Sequence, residues 1–325
     1  ALRFAKLDTM RGIYERLEPG VDGHVRTVFN PAGTYTGRFS SAEAFYVPHS
    51  TNLQNLPSDL EAARNPLYAV RDCIIPDPGE VFLYADLSQS EARIVARLCD
   101  DRLLMELWEA GRDIHKWTAS AIYGCKEEEV TAEQRYVGKR ARHALNYGEG
   151  PNKFWRVVNA DADVTGVAIT QSEAKRIHAA YHVLHPALDA VWWNRVETVL
   201  RGGAVLINCF GRTCRFYPRI DWQTGEPDQE TLRAMIAWEP QSTSVDCLNT
   251  GMLELFAREA GNGFRLLFQG HDSVLLGVDR HRVKHVSRMT KTLLERPITV
   301  NGYTFTIPVE IHLAERCWGH MEKIL

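Results

Sequence analysis

The 325-residue sequence lacks several features that mark particular protein classes. Its seven cysteines contain no CxxC pair and are odd in number, which argues against a disulfide framework or a zinc ribbon and favours a reducing compartment. No apolar run is long enough to cross a bilayer, and the first residues carry no signal-peptide pattern. Internal repeats and low-complexity segments are missing as well. The sequence therefore predicts a globular protein without a membrane partner.

The sequence also has no large excess of acidic or basic residues. The net charge of −3 does not indicate a nucleic-acid binder, so any phosphate-binding surface has to be a local basic face. The chain is long enough for one large domain or two to three smaller ones. Its apolar periodicity changes from strands to about a hundred helical residues and back to strands, which predicts a sheet domain split by a helical one.

Residues 81–93, VFLYADLSQSEAR, combine a short apolar run with the start of a helical pattern. The run predicts a strand buried on both faces, with Asp86 at its end. Ser88 or Ser90 is the predicted N-cap of the helix that follows. A carboxylate fixed by a rigid strand at a strand-to-helix turn is well placed to hold a divalent cation.

Residues 264–278, FRLLFQGHDSVLLGV, place Asp272 between two further apolar runs. This pattern predicts a strand, a turn and a returning strand. One carboxylate on each of two adjacent strands is what a pair of metal ions, ~3.5–4 Å apart, needs for an in-line phosphoryl displacement. Aspartate is also a common turn residue, so the spacing alone leaves a purely structural role open.

A basic stripe is predicted on one central helix. Thr131 and Gln134 form a capping box, and the helix is predicted to run to Tyr147, where Gly148 stops it. Its residues Arg135, Lys139, His143 and Tyr147 are four apart and share one face. This stripe would bind a triphosphate, with Arg140, Arg142, Lys153 and Arg156 adding to the positive field; a solvated basic face is the alternative.

Other elements are predicted from local patterns. They are an amphipathic helix over residues 1–17, strands at 25–29, 204–210 and 214–217, a helix over 171–200 interrupted at 185–186, a helix from 232, and a final strand pair within 303–313. Trp192 and Trp193 are predicted to pack in the core. The loop at 52–57 is rich in amides, which suit hydrogen bonding to grooves or sugars, with turn and cap roles as the alternative.

Together these stretches resemble the polymerase core of the family A DNA polymerases, the DNA polymerase I family. TGRFSS (36–41) and NLQNLP (52–57) are similar to the family's TGRLSS…NLQNIP, DLSQSEAR (86–93) to motif A, DYSQIELR, and QGHD (269–272) to motif C, QVHD. DIH at 113–115 matches the family's DIH, and Arg135, Lys139, Tyr147 and Gly148 fall on R-xxx-K-xxxxxxx-YG of motif B. The resemblance covers nearly the whole chain.

For fold, the resemblance implies an α+β, right-hand polymerase architecture, with an antiparallel-sheet palm split by a helical fingers domain and a thumb that is largely absent. The expected segments are a thumb-base remnant (1–29), a first palm part (30–95), fingers (96–203) and a second palm part (204–325). For location, it implies the cytoplasm of a bacterium or of a phage-infected host, or an organelle matrix.

For activity, the resemblance implies a DNA-templated DNA polymerase. Such an enzyme adds dNMPs to a primer 3′ hydroxyl by two-metal phosphoryl transfer and releases pyrophosphate. The implied cofactors are two Mg²⁺ ions, with Mn²⁺ as a substitute. The implied partners are primer–template DNA and dNTPs.

The resemblance also implies roles for individual residues. Catalysis is expected of Asp86, Asp272 and Lys139, and metal binding of Asp86, Leu87 and Asp272. The incoming dNTP is expected to contact Gln89, Glu91, His115, Arg135, Lys139, His143 and Tyr147. DNA contact is expected of Arg38, Asn52, Gln54, Arg212, Arg215, Gln241 and His271, where GRTCRFYP (211–218) is similar to the family's GRxRxLP. Glu91 would exclude the ribose 2′-hydroxyl, held by a hydrogen bond from the Tyr147 hydroxyl.

The sequence departs from the family pattern at four points. His143 replaces the usual aromatic residue of motif B, and Ser273 replaces the acidic residue after the motif C aspartate. Ala237 stands where the family often has an asparagine that reads the minor groove. The chain also begins close to where a thumb would end. A thumb and a proofreading exonuclease are therefore expected on a separate chain, or the sequence is a fragment, or the protein works without them.

Three rival functions fit these residues less well. A single-subunit RNA polymerase or reverse transcriptase shares the palm, but an RNA polymerase would lack a gate such as Glu91. A two-metal nuclease would need the carboxylates but not Arg135 and Lys139. A non-catalytic DNA-binding subunit would be marked by loss of Asp86 or Asp272, and both are present.

Overall fold

The structure is a computed structural model that describes residues 2–57, 62, 66–160 and 162–325. Its α-helices are α1 (Leu2–Arg16), α2 (Ser90–Leu98), α3 (Arg102–Glu109), α4 (Ile114–Tyr123), α5 (Ala132–Leu145), α6 (Pro151–Ala160), α7 (Ala162–Thr165), α8 (Gln171–Leu184), α9 (Asn194–Arg201), α10 (Gln229–Ala257) and α11 (Val283–Leu294). Its strands are β1 (Val28–Asn30), β2 (Ser40–Ala42), β3 (Glu80–Leu87), β4 (Val205–Ile207), β5 (Thr213–Arg215), β6 (Phe264–Gln269), β7 (Ser273–Asp279), β8 (Pro297–Val300), β9 (Tyr303–Thr306), β10 (Val309–Ala314) and β11 (Glu322–Lys323).

The chain divides into two compact units. Unit 1 comprises Ala1–Ser88, Ser244–Pro297 and Thr306–Leu325, and unit 2 comprises Gln89–Thr243 and Ile298–Phe305. Unit 1 contains a five-stranded sheet, whereas unit 2 consists mainly of helices. The predicted α+β class, with a sheet domain interrupted by a helical one, is confirmed. The division into four named segments stays a prediction.

The sheet of unit 1 has the strand order β11-β10-β3-β7-β6, and its neighbouring strands are antiparallel. β3 lies at its centre, where Val81, Leu83 and Ala85 are buried, as predicted for a strand covered on both faces. On the Phe82 side, a hydrophobic cluster collects Leu53, Leu56, Phe268, Leu275, Ala314 and Trp318. Met10 of α1 is buried in this cluster, so the predicted amphipathic helix packs against the sheet domain.

Helices α4 and α5 pack closely in unit 2 because Gly138 leaves room between them. A Cβ atom at Gly138 would lie 2.5 Å from the backbone carbonyl oxygen of His115. The predicted start of α5 is confirmed, because Thr131 and Gln134 form its capping box, and Asp113 caps α4 by accepting the Lys116 N–H. α5 ends at Leu145, slightly earlier than predicted.

The N-cap prediction for α2 was wrong. Gln89, rather than Ser88 or Ser90, occupies the cap, and its φ of 52° is left-handed. Ser90 lies inside the helix and is buried. A non-glycine residue in this region carries backbone strain, and such residues concentrate at functional sites.

The predicted final strand pair was wrong as well. β9 pairs with β8 in a separate hairpin, and β10 instead joins the main sheet beside β3. The cause is the dipeptide Asn301-Gly302, whose φ values of 49° and 81° are both positive, as a two-residue hairpin turn requires. The predicted strands at 25–29, 204–210 and 214–217 correspond to the shorter β1, β4 and β5.

Three further observations bear on the predicted class of protein. The interruption near residue 185 is present between α8 and α9, and Trp192 is fully buried there, as predicted. All seven cysteines are free thiols. In the described parts of the chain, no helix has both the length and the apolar character needed to cross a membrane.

The close approach of α4 and α5 predicts that Gly138→Ala destabilises the protein. The added Cβ meets a backbone oxygen, which cannot rotate away, so the helices must separate, at a cost of about 1–3 kcal/mol. Gly12→Ala is the matched control, because Gly12 is also helical and its nearest neighbour is the flexible end of Arg16. Urea unfolding should show a lower unfolding free energy for Gly138→Ala and no loss for Gly12→Ala. Equal stability of the two variants would contradict the packing argument.

Candidate active site

The two predicted metal carboxylates lie at the ends of adjacent strands. β3 pairs with β7 so that Asp86 is opposite Ser273, the residue after Asp272. The Leu87 N–H donates to the Asp272 carbonyl oxygen at 2.9 Å, which fixes the turn against the strand end. Both aspartates are half-buried. The predicted arrangement of two adjacent strands, each bringing one carboxylate, is confirmed.

The electrostatic environment of these carboxylates suits a cation. Burial raises the pKa of the Tyr84 phenol, the Asp86 carboxylate raises it further, and Asp272 adds to the effect. Tyr84 therefore stays neutral and adds no negative charge beside the two aspartates. Hard carboxylate oxygens are the ligands that Mg²⁺ prefers, so the donor set fits this ion. The Leu87 side chain is buried and apolar, so only its backbone carbonyl oxygen can serve as a ligand.

Glu310 is a nearby carboxylate that the sequence reasoning missed. It is the register partner of Asp86 on the β10 side of β3, and register partners in antiparallel strands share one face of the sheet. Lys323 pairs with it at 3.0 Å. The alternation of the VEIHLA segment could have indicated a strand with Glu310 on its less buried face. Glu310 therefore brings a third carboxylate to the strand end where Ser273 offers none.

The predicted stripe on α5 is confirmed as a single face. Arg135 and Lys139 are exposed, His143 has a solvent-accessible edge while most of its ring is surrounded by protein atoms, and Tyr147 is half-buried in the turn beyond the helix. The opposite face is buried and consists of Val137, Gly138, Ala141, Arg142 and Leu145. The Arg135 Nε atom lies 2.6 Å from Asp113 Oδ2, so this guanidinium already has an anionic partner.

Arg142 lies on the buried side and does not extend the exposed basic surface. It donates to Thr118 Oγ1 at 2.7 Å and contacts His185 Nε2 at 3.2 Å. His185 Nδ1 in turn lies 3.2 Å from Asp101 Oδ2. Burial lowers the pKa of His185, so the imidazole is neutral at neutral pH and can accept from Arg142. This polar chain anchors α5 from behind the stripe.

Two histidines, His115 next to the stripe and His143 within it, have lowered pKa values and are neutral at neutral pH. His115 is buried, and burial, followed by the charge of Arg142, lowers its pKa to about 3. Its Nδ1 atom is buried without a hydrogen-bond partner among the described residues. Desolvation, followed by the Lys139 ammonium, lowers the pKa of His143, and the two ring centroids are 6.3 Å apart.

The predicted hydrogen bond between Tyr147 and Glu91 is confirmed: the tyrosine hydroxyl donates to the Glu91 carboxylate. The Tyr147 ring also packs edge-on against Trp192, with centroids 6.5 Å apart. Gln89, at the strained cap of α2, has a buried amide oxygen without a hydrogen-bond partner in the described structure. The hydrogen bond from Tyr147 fixes the Glu91 side chain, whereas the Gln89 amide oxygen remains available as an acceptor.

The residues predicted to contact DNA differ in their hydrogen bonds within the protein and in their exposure to solvent. Gln54 accepts the Ser41 N–H at 2.9 Å and donates to the Gln269 carbonyl oxygen at 3.1 Å, so its amide ties the loop to the end of β6. Asn52 accepts the Gln54 N–H at 3.1 Å. His271, Arg212 and Arg215 are exposed, whereas Arg38 and Gln241 are half-buried. Their contacts with DNA stay predictions.

Comparisons with known proteins agree with the resemblance read from the motifs. The profile of DNA polymerase family A matches residues 2–320. The thermostable DNA polymerase I of Thermus aquaticus is 28% identical over 96% of this chain and 35% of its own length, and the DNA polymerase I of Geobacillus stearothermophilus is 29% identical over 90% and 31%. The chain thus spans about a third of these relatives.

A solved structure shows the same fold. It is the POL domain of Pol1 from M. smegmatis, in complex with DNA primer-template and dNTP. It matches this chain with a TM-score of 0.78 and 24% identity, over 97% of this chain and 52% of the other.

The buried neutral His115 predicts a loss of stability as the pH falls. Its folded pKa of about 3 lies below the unfolded value near 6.5, so between these values only the unfolded state takes up the proton. Below about pH 6.5, the unfolding free energy should fall by up to about 1.4 kcal/mol per pH unit from this group.

The measurement is urea unfolding of the native chain and of His115→Gln between pH 5 and pH 7. The unfolding free energy of the native chain should depend more steeply on pH than that of His115→Gln. His281→Gln, at an exposed histidine, is the control and should leave the dependence unchanged. Equal slopes for the native chain and His115→Gln would show that His115 is not held neutral.

Proposed function

The chain belongs to DNA polymerase family A, and we propose that it catalyses DNA-templated addition of dNMPs to a primer 3′ hydroxyl, with release of pyrophosphate. The observation that carries the proposal is the placement of Asp86 and Asp272 at the ends of paired strands. Carboxylates in this arrangement hold the divalent cations that a phosphoryl transfer requires.

In this proposal the two units have different tasks. Unit 1 is the palm, because it contains the antiparallel sheet and both aspartates. Unit 2 is the fingers domain, because it contains α5 with its exposed basic stripe. The segments 1–29, 30–95, 96–203 and 204–325 remain our working division between thumb base, palm and fingers.

Family A DNA polymerases generally depend on divalent metal ions. Asp86, Asp272 and the Leu87 carbonyl oxygen would hold two Mg²⁺ ions here, with Mn²⁺ as a substitute. When bound, such ions lower the pKa of the attacking hydroxyl and neutralise charge on the leaving group. The protein's own contribution at this place is the rigid strand pair, which holds the oxygens in fixed positions.

The nucleotide would be received by unit 2. Arg135 can grip phosphate oxygens in a bidentate manner, whereas Lys139 acts as a point charge. His143 and His115, being neutral, can each donate one N–H without adding charge. Gln89 offers its unpaired amide oxygen as an acceptor. Glu91, held by Tyr147, would face the sugar and exclude a 2′-hydroxyl.

Primer–template DNA is the proposed macromolecular partner. The exposed guanidinium groups of Arg212 and Arg215 suit phosphate contacts, which position a duplex without reading its sequence. We assign Arg38, Gln241 and His271 to the primer–template end, and Asn52 and Gln54 to the loop that supports it. A reducing cytoplasmic location completes the proposal.

Primer extension with the Asp86→Asn and Asp272→Asn variants tests the function. Each should lower the rate by about three orders of magnitude or more, because metal stabilisation of developing charge contributes several kcal/mol. Binding of primer–template should change little. Asp279→Asn is the control, because Asp279 ends the same strand β7 far from the turn. Near-native extension by Asp86→Asn would refute the assignment.

Glu91→Ala should relax the selection against ribonucleotides. Removing the carboxylate opens space beside the sugar, so the ratio of kcat/KM for dNTP over rNTP should fall at least about tenfold. Tyr147→Phe keeps the carboxylate but removes its hydrogen bond, so it should lower the ratio by less. A ratio that stays at the native value in Glu91→Ala would mean that another residue is the gate.

A further inference from the structure

A second group of metal-ligating side chains lies in unit 1, apart from the two aspartates discussed above. Asp72 belongs to the 3-10 turn Val70–Cys73, and Cys317 and His320 lie in the turn that follows β10. One ligand atom from each of these three residues lies within 4.8 Å of the other two. Three different ligand types from two separate turns therefore converge on one point.

The distances are close to those of a zinc site. The His320 Nε2 atom lies 3.4 Å from Asp72 Oδ2, and the Cys317 Sγ atom lies 3.9 Å from Asp72 Oδ1. Around a tetrahedral zinc ion with its usual bond lengths, neighbouring ligand atoms are about 3.3–3.6 Å apart. The two contacts, which use different oxygens of the Asp72 carboxylate, are thus near the separations that a zinc ion requires.

The two turns are held together independently of any metal. The Trp318 N–H donates to the Ile74 carbonyl oxygen at 2.8 Å, and the Arg71 guanidinium lies 4.8 Å from the centre of the buried Trp318 ring. Between the two candidate ligands in the second turn stands Gly319, where a Cβ atom would come within 1.9 Å of Asp72 Oδ1. Only glycine allows the carboxylate to approach this backbone so closely.

The site is open to solvent on the side of its two polar ligands. Cys317 is buried, whereas Asp72 and His320 are exposed, so an ion can enter from solvent. The backbone N–H groups of Gly319 and His320 point at the Cys317 sulfur and would stabilise it when it is bound to a metal.

We propose that Asp72, Cys317 and His320 form a binding site for a zinc ion. A soft sulfur, an imidazole nitrogen and one carboxylate oxygen are typical zinc ligands, and Mg²⁺ does not favour the sulfur. Three protein ligands leave the fourth position to water. The ion would join the segment after β10 to the 3-10 turn before β3, and so brace the edge of the sheet domain.

Cobalt substitution tests the site directly, because Co²⁺ bound to a thiolate gives an intense charge-transfer band in the near ultraviolet. The metal-free chain should develop this band with one equivalent of Co²⁺ and lose it when Zn²⁺ is added. Cys317→Ser should abolish the band. Cys209→Ser, which removes an exposed cysteine outside the cluster, is the control and should keep it.

A second variant separates loss of the site from loss of the fold. His320→Asn changes an exposed side chain and should lower the affinity for Zn²⁺ at least about tenfold. The affinity is measured by competition with a chromophoric chelator. Zinc should also raise the Tm of the native chain more than that of His320→Asn. A band that survives in Cys317→Ser, no band in the native chain, or equal zinc affinity of the native chain and His320→Asn would each overturn the proposal.

Discussion

The pairing of β3 with β7 is the constraint on which the candidate active site depends. Side chains of a strand alternate between two faces, so a slip of one residue would turn Asp86 to the opposite face of the sheet. Such a slip would move the half-buried Asp86 into the fully buried position of its neighbour Ala85, which would remove the carboxylate from water. The Leu87 N–H adds a direct tie to the Asp272 carbonyl oxygen. Hydrophobic burial thus determines where the carboxylates point.

Helix α5 shows the same principle in a helical element. Its stripe side is charged and open to solvent, whereas its other side is buried against α4 and anchored by Arg142 through Thr118 and His185. A basic helix with nothing but exposed charge would be held only weakly. The buried chain of hydrogen bonds and the close approach at Gly138 hold it firmly, so the exposed cations can stay in place without support from one another.

Much of the fold and part of the site could be predicted from the sequence, for physical reasons that differ between elements. The strand ending at Asp86 was predictable because a short apolar run has few other solutions, and α5 because its capping box is local. The pairing of β10 with β3 could not be predicted, because pairing between strands that are distant in the sequence leaves no local signal. β9 is not available to β10, since the Asn301-Gly302 turn pairs it with β8. Glu310 was missed for the same reason, since only the register reveals that it faces Asp86.

The ion pair between Arg135 and Asp113 has a consequence for which anions the stripe can accept. Because Asp113 already restrains the guanidinium, part of the roughly 2 kcal/mol of rotamer entropy of an arginine is lost before any ligand arrives. An anion at the stripe then meets a cation whose position is already set, and it competes with a carboxylate that also caps α4. If the stripe receives a triphosphate, as proposed, the Asp113 charge would weaken the binding of the less charged hydrolysis products relative to the triphosphate.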